Sequence, residues 1–344
     1  MRPFVPHPLL KQPDLMTLVP RYWPRPGLLR GMPTETRLFA VSPRSRILGY
    51  CHWQPDMKSR PALILVHGLE GCSESPYMLG TASKAWRAGF NVIRLNQRNC
   101  GGTEHLTPTL YHSGLSNDLS AVVKELSQQD GIEAIWLAGY SMGGNLVLRM
   151  GGEIGADLPA LQGLITVCPT IDPTACVQAL ERRRNWVYQR FFLRSLQARV
   201  RRKAGLFPGK FDLTHLARIQ TLRAFDDVYT ALDGGFLHAA DYYERSGARH
   251  VLGQIAVPTL ILTSHDDPFI PYRIFQTPAL ATNPWIHLVA PAHGGHCGFI
   301  QRRQSDEDRF WAENRLVEFI TTTNLKKEDI TEEVNRDGRQ CAVR

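Results

Sequence analysis

The chain has 344 residues, 43% of them hydrophobic and 21% charged, with a formal net charge of +8. This is an ordinary globular composition with ample length for a large core. The seven cysteines are odd in number and form no C-x-x-C pair, which points to a reduced cytosolic protein rather than a disulfide scaffold.

No apolar run reaches the about 18 residues of a transmembrane helix, and the proline-interrupted N-terminus, Met1-Arg2-Pro3-Phe4-Val5-Pro6-His7-Pro8, lacks the apolar stretch of a signal peptide. Cytoplasmic localisation is therefore expected. No long Gly/Ser-rich or Pro-rich linker divides the chain, so one α/β domain with an insertion is expected.

Residues 1–35 are rich in proline and read as an extended arm laid over the domain. Residues 36–53 alternate apolar and polar, which predicts two antiparallel strands joined by a turn around Ser42-Pro43-Arg44-Ser45. The continuous apolar run Pro61–Val66 suits a strand buried on both faces of a parallel sheet, and it ends in His67-Gly68-Leu69-Glu70-Gly71.

A helix over Leu79–Ala88 closes at Gly89, and a strand follows over Phe90–Asn96. The Gly101-Gly102 loop lacks the spacing of a phosphate cradle. A helix over Asp118–Ser127 leads into the apolar strand Ala134–Ala138. Later strands are expected at Leu161–Cys168, Pro258–Thr263 and Ile286–Ala290, with a last helix at Arg309–Thr321. Strand–helix alternation of this kind implies a mostly parallel central sheet wrapped by helices.

The expected organisation is an arm (1–35), a core (36–173 and 251–322), a mostly helical insertion (174–250) and a polar tail (323–344). Nine basic residues lie between Arg182 and Lys203, beside the lone acid Glu181. The bland reading is an amphipathic helix with a solvated arginine face. The sharper one is a peripheral contact with an anionic membrane or an acidic partner through residues 182–203. No recognition motif accompanies this charge, so nucleic-acid binding is not expected.

The chemistry centres on Gly139-Tyr140-Ser141-Met142-Gly143, a G-x-S-x-G turn between an apolar strand and a helical pattern. Such a turn lifts Ser141 above the sheet, and its glycines avoid collisions with neighbouring elements. The Met142 amide, at the helix N-terminus, is one candidate oxyanion donor, and the Leu69 amide is the other. A serine hydroxyl needs a histidine to take its proton and an acid to orient that histidine.

With this turn the chain order is serine, acid, histidine. Asp266 and Asp267 compete for the acid, with Asp267 favoured by its position between Pro258 and Pro271. His293 and His296 compete for the base, with His296 favoured because it lies deeper in the loop beside Gly298-Phe299. His293-x-x-His296 has no third ligand cluster at metal spacing, so neither a metal nor a cofactor is expected. Cys100 and Cys297 lie on nearby loops but occupy no elbow, so both read as bystanders, with modification of reactivity the one side role open to Cys297.

These stretches resemble the YheT-like branch of the α/β-hydrolase superfamily, which includes the EMB8-like and ABHD1/2/3 proteins. The matching pieces are His67–Gly71, Arg98-Asn99-Cys100-Gly101-Gly102, Tyr111-His112-Ser113-Gly114, Gly139–Gly144, Asp266-Asp267-Pro268-Phe269 and His293-Gly294-Gly295-His296-Cys297-Gly298-Phe299. Asn99 departs from the family's common glycine but lies outside the triad.

The resemblance implies an α/β-hydrolase fold in which the 174–250 insertion acts as a lid. It also implies action on esters of medium-chain or longer acyl groups. The expected activity is ester hydrolysis through Ser141, His296, Asp267 and an acyl-enzyme. The alternatives are acyl transfer to an alcohol and, from another class, ligand capture without turnover.

Overall fold

The computed structural model describes residues 1–324. Eight strands form one sheet: β1 (Glu35–Ser42), β2 (Ser45–His52), β3 (Ala62–Val66), β4 (Asn91–Asn96), β5 (Ile135–Tyr140), β6 (Leu161–Val167), β7 (Thr259–Leu262) and β8 (Ile286–Val289). Their spatial order is β1-β2-β4-β3-β5-β6-β7-β8. β1 and β2 are antiparallel to their neighbours, and β4 through β8 run parallel. This is the mostly parallel sheet that the alternation implied.

Burial explains the continuous apolar runs. Every residue of β3 and of β5 is buried, because helices cover both faces of the sheet. Those helices include α2 (Pro76–Arg87), α3 (Ser116–Gln128) and α4 (Met142–Ile154), and a further helix spans 311–324. That last helix takes in the first two residues of the stretch read as a polar tail. The rest of that tail lies outside the described residues.

The arm is more structured than its prolines suggested. It contains α1 (Pro13–Leu18), with Pro13 at its first position and the Gln12 side chain capping the Leu15 amide at 2.6 Å. Met16 of α1 is fully buried, and Pro6 pairs with Gln301. Between β6 and β7 lie α5 (Pro173–Leu180), α6 (Trp186–Leu206) and shorter helical pieces, including a π-helical turn at Asp226–Thr230. No helix among the described residues is long and apolar enough to cross a membrane.

The basic run divides on α6. Arg199 and Lys203 point inward. Arg199 meets the Glu70 carboxylate at 3.0 Å, and the Lys203 ammonium donates to the Glu104 and Thr107 carbonyls. Arg202 pairs with Glu104 at 2.7 Å. Arg182, Arg183, Arg184, Arg190 and Arg194 remain exposed. Charge alone did not separate these groups, because the inward ones are neutralised by acids and carbonyls far away in sequence.

The close approach of β3, β5 and α4 fixes two glycines. A Cβ on Gly143 would lie 2.4 Å from the His67 carbonyl oxygen, and one on Gly139 would lie 2.3 Å from the Gly143 carbonyl oxygen. Gly143→Ala is therefore expected to lower stability by about 1–3 kcal/mol, the usual range for overpacking. Gly205→Ala on α6 meets nothing within 4 Å and should be neutral or stabilising by up to about 1 kcal/mol. Paired thermal melts test the contrast, and equal melting temperatures for the two variants would contradict it.

Candidate active site

Four loops at the C-terminal ends of parallel strands converge on one side of the sheet. β3 and β5 are neighbours, with Val66 opposite Gly139, so the His67–Gly71 turn lies beside Ser141. The loops after β7 and β8 carry Asp267 and His296. Binding sites of open α/β sheets lie at these strand ends.

Ser141 has φ 53° and ψ −119°, a conformation that an L-residue adopts at a cost of about 1–3 kcal/mol. The surroundings hold it there. Its amide donates to the Val167 carbonyl at 2.8 Å, and its own carbonyl accepts from Asn145 at 3.1 Å. The residue thus ends a strand and caps a helix at once.

Asp267, rather than Asp266, meets His296. The His296 Nδ1 lies 2.8 Å from Asp267 Oδ2. The other Asp267 oxygen accepts from the Phe269 and Ile270 amides at 3.0 and 2.8 Å, and the side chain is wholly buried. Asp266 instead accepts from the Gly295 amide at 2.9 Å and lies 3.3 Å from His293 Nδ1. Burial disfavours the His296 imidazolium, but the charge and hydrogen bond of Asp267 outweigh it, with a further contribution from Cys168. The net effect raises the imidazole above its ordinary range.

Ser141 and His296 line the same cavity of about 290 Å3, and no hydrogen bond joins them. In structures without substrate such contacts are often long and close only when the reacting complex forms. The cavity walls include Leu69, Tyr77, Tyr188, Phe191, Phe192 and Phe269. A smaller cavity of about 90 Å3 reaches Ser141 and Met142 from the side of α5 and the π-helical turn.

The two candidate oxyanion amides flank the serine. The Met142 amide belongs to the first turn of α4, where N–H groups have no partner within the helix. On either side of Leu69, the Gly68 and Glu70 amides donate to the Tyr77 and Tyr111 hydroxyls at 3.1 and 2.9 Å. The Leu69 amide has no acceptor among the described residues. His67 is a structural group: its Nε2 accepts from the Gln97 amide at 3.1 Å, its Nδ1 lies 2.8 Å from the Gly68 carbonyl, and burial pushes it down to about 4.

How the arm seats the histidine is visible only in the fold. The His296 amide donates to Thr17 Oγ1 at 2.9 Å, and a Cβ on Gly298 would strike the Met16 carbonyl oxygen. Asp14 accepts from the Tyr188 hydroxyl of α6 at 2.9 Å. Tyr188 packs on Phe269, and Phe269 packs on the His296 ring with centroids 4.1 Å apart.

Residues 61–302 match a family model described as the alpha/beta hydrolase fold. The putative esterase YheT of Escherichia coli (strain K12) is 34% identical over 265 residues, 76% of this chain and 77% of that protein. The phospholipase ABHD3 of Mus musculus is 31% identical over 247 residues, 72% of this chain but only 60% of that longer protein. Among solved structures, Est1E from Butyrivibrio proteoclasticus superposes with a TM-score of 0.54 at 17% identity, covering 84% of this chain and 99% of that one. The 2,6-dihydroxy-pseudo-oxynicotine hydrolase gives 0.58 at 19% identity, covering 89% and 71%. These structural likenesses concern the fold alone. The family match and the 34% identity together place the chain in the α/β-hydrolase family, among its YheT-like members.

Proposed function

We propose that the protein is a serine hydrolase of carboxylic esters, working through Ser141, His296 and Asp267 and an acyl-enzyme. The observation that carries this reading is the buried 2.8 Å contact of Asp267 with His296 on the cavity that holds the elbow serine. The names of its relatives, a putative esterase and a phospholipase, agree with it.

In this scheme the His296 imidazole takes the Ser141 proton as the hydroxyl oxygen attacks the ester carbonyl. The Leu69 and Met142 amides donate to the developing oxyanion, each donor being worth about 10²–10³ in rate. The imidazolium then protonates the leaving alcohol. Water, activated by the same imidazole, cleaves the acyl-enzyme and returns Ser141 to its starting state. Asp267 fixes the tautomer with the proton on Nδ1 and stabilises the imidazolium without taking a proton. The aromatic lining of the larger cavity favours esters with an apolar, lipid-like part. The helices between β6 and β7 supply Tyr188, Phe191 and Phe192 to that lining and act as the lid.

Contact with an anionic lipid surface is part of this proposal. Trp186, Val187 and Phe191 of α6 are each more than half exposed, and Leu18 and Tyr22 of the arm are exposed beside them. Leu18, Tyr22, Val187 and Phe191 line the larger cavity. Exposed Arg190 and Arg194 lie on the same helix, and exposed Arg183 and Arg184 lie in the turn that leads into it. An apolar rim with a basic fringe is the pattern of an interfacial surface.

Asp267→Asn is expected to lower kcat by about 10⁴ for an ester substrate. The base must be neutral to act, so activity rises as pH passes upward through the His296 pKa. Asp267 raises that pKa, so its neutralisation should move the ascending limb of the pH–rate profile to lower pH. Asp266→Asn should leave the limb in place. An unchanged limb in Asp267→Asn, or an equal loss in Asp266→Asn, would contradict the assignment.

Phosphatidylserine vesicles should co-sediment the protein at low salt. Basic groups contribute about 1 kcal/mol each near such a surface, so Arg183→Gln, Arg184→Gln and Arg190→Gln together should weaken partitioning about 100-fold. Wild type left in the supernatant would remove the lipid contact while leaving the hydrolase reading intact.

A further inference from the structure

Asp267 occupies the His296 Nδ1, which leaves Nε2 as the ring nitrogen not bound to the carboxylate. Two thiols stand beside it. Cys168 opens the loop after β6, and Cys297 follows His296 directly. One side-chain donor atom from each of Cys168, His296 and Cys297 lies within 4.8 Å of the other two. The thiols are held by backbone groups: the Cys297 amide donates to Cys168 Sγ at 3.3 Å, and Cys297 Sγ donates to the Val167 carbonyl at 3.5 Å. Both cysteines have φ in the left-handed region, 48° for Cys168 and 59° for Cys297. Non-glycine residues persist there only when their surroundings hold them.

The cluster is reached from the substrate side. Cys297 lines the larger cavity with His296 and Ser141, and Cys168 lies fully buried behind it. Neither thiol has a part in the proposed ester chemistry. Two sulfurs and one imidazole nitrogen form a zinc donor set that leaves a fourth position open. A metal-binding histidine almost always gives its other ring N–H to a carboxylate, a carbonyl or a water, and Asp267 is already placed in that way. With zinc–sulfur bonds of about 2.3 Å in tetrahedral geometry, the two sulfurs would stand about 3.8 Å apart. The donors therefore need to close by no more than about 1 Å, within reach of a rotation at the half-buried Cys297.

We propose that Cys168 Sγ, Cys297 Sγ and His296 Nε2 form a binding site for a thiophilic divalent cation such as Zn²⁺, and that filling it switches the esterase off. Each thiol gives its proton to solvent as its sulfur takes up the metal, so one Zn²⁺ enters and two protons leave when the imidazole is neutral, or three when it starts as the imidazolium that Asp267 favours. Two thiolates balance the charge of the ion, and no oxidation is involved. The Nε2 lone pair that would accept the Ser141 proton is used in the bond to the metal, so metal and substrate turnover exclude each other. The inhibitory half rests on the hydrolase reading, whereas the binding half does not.

The test titrates the full chain, kept reduced, with Zn²⁺ against a chromophoric chelator. Fluorophosphonate labelling is measured on the same samples. One equivalent should bind, labelling should fall at least tenfold, and excess EDTA should restore it. Cys297→Ser should weaken Zn²⁺ binding by about 10–100-fold or more, the usual cost even of losing a supporting group. Because Cys168→Ser removes a buried group and can fail to fold, Co²⁺ provides a second readout. The wild-type complex should show a sulfur-to-cobalt charge-transfer band that Cys297→Ser diminishes.

Absence of stoichiometric binding would overturn the proposal. So would binding that Cys297→Ser leaves unchanged, or zinc-loaded protein that labels as well as metal-free protein. Failure of the hydrolase reading looks different: metal-free protein would not label, while Zn²⁺ binding and the cobalt band would persist.

Discussion

The close approach of β3, β5 and α4 is the constraint on which the rest of the site depends. Gly139 and Gly143 let the strands and the helix meet at backbone distance, and Ser141 is forced into a left-handed conformation between them. That single strained residue turns the chain from the sheet into α4 and sets the Met142 amide at the helix N-terminus. It also places Ser141 beside the His67–Gly71 turn, because β3 and β5 pair directly. A side chain on either glycine would push these elements apart and separate the Leu69 and Met142 amides.

The histidine depends on a different kind of support. Its ring is oriented by Asp267, its backbone amide by Thr17 of the arm, and its face by Phe269. Asp14 ties the same arm to Tyr188 of α6. Arg199 draws the far half of α6 onto Glu70, in the turn that carries Leu69. The arm, the helices between β6 and β7 and the loops after β3 and β8 are thus joined by part-buried polar contacts rather than by apolar packing alone. The Arg199–Glu70 pair, buried on both sides, is costly to separate one partner at a time, since the remaining charge is left without its bond.

Much of this was legible in the sequence where the signal was local. The elbow turn and the buried strands come from short stretches with a local pattern. Asp267 was favoured over Asp266 from its neighbouring prolines, and the geometry pairs it with His296. Long-range contacts were not legible. Nothing in Pro13–Leu18 shows that its hydroxyl and carbonyl groups meet residues near 296. The nine basic residues of 182–203 read as one charged face, yet Arg199 and Lys203 turn inward because Glu70, Glu104 and Thr107 happen to lie beneath them. The thiol pair at Cys168 and Cys297 was likewise hidden, since the two residues lie on loops after different strands.

The central claim is that Ser141 is a nucleophile activated by His296. Its most direct test is covalent labelling by a fluorophosphonate, with wild type, Ser141→Ala and His296→Ala compared after circular dichroism has shown all three folded. The account predicts rapid labelling of wild type, none of Ser141→Ala and a large loss of rate in His296→Ala. Labelling that survives in Ser141→Ala, or folded metal-free wild type that does not label at all, would contradict it.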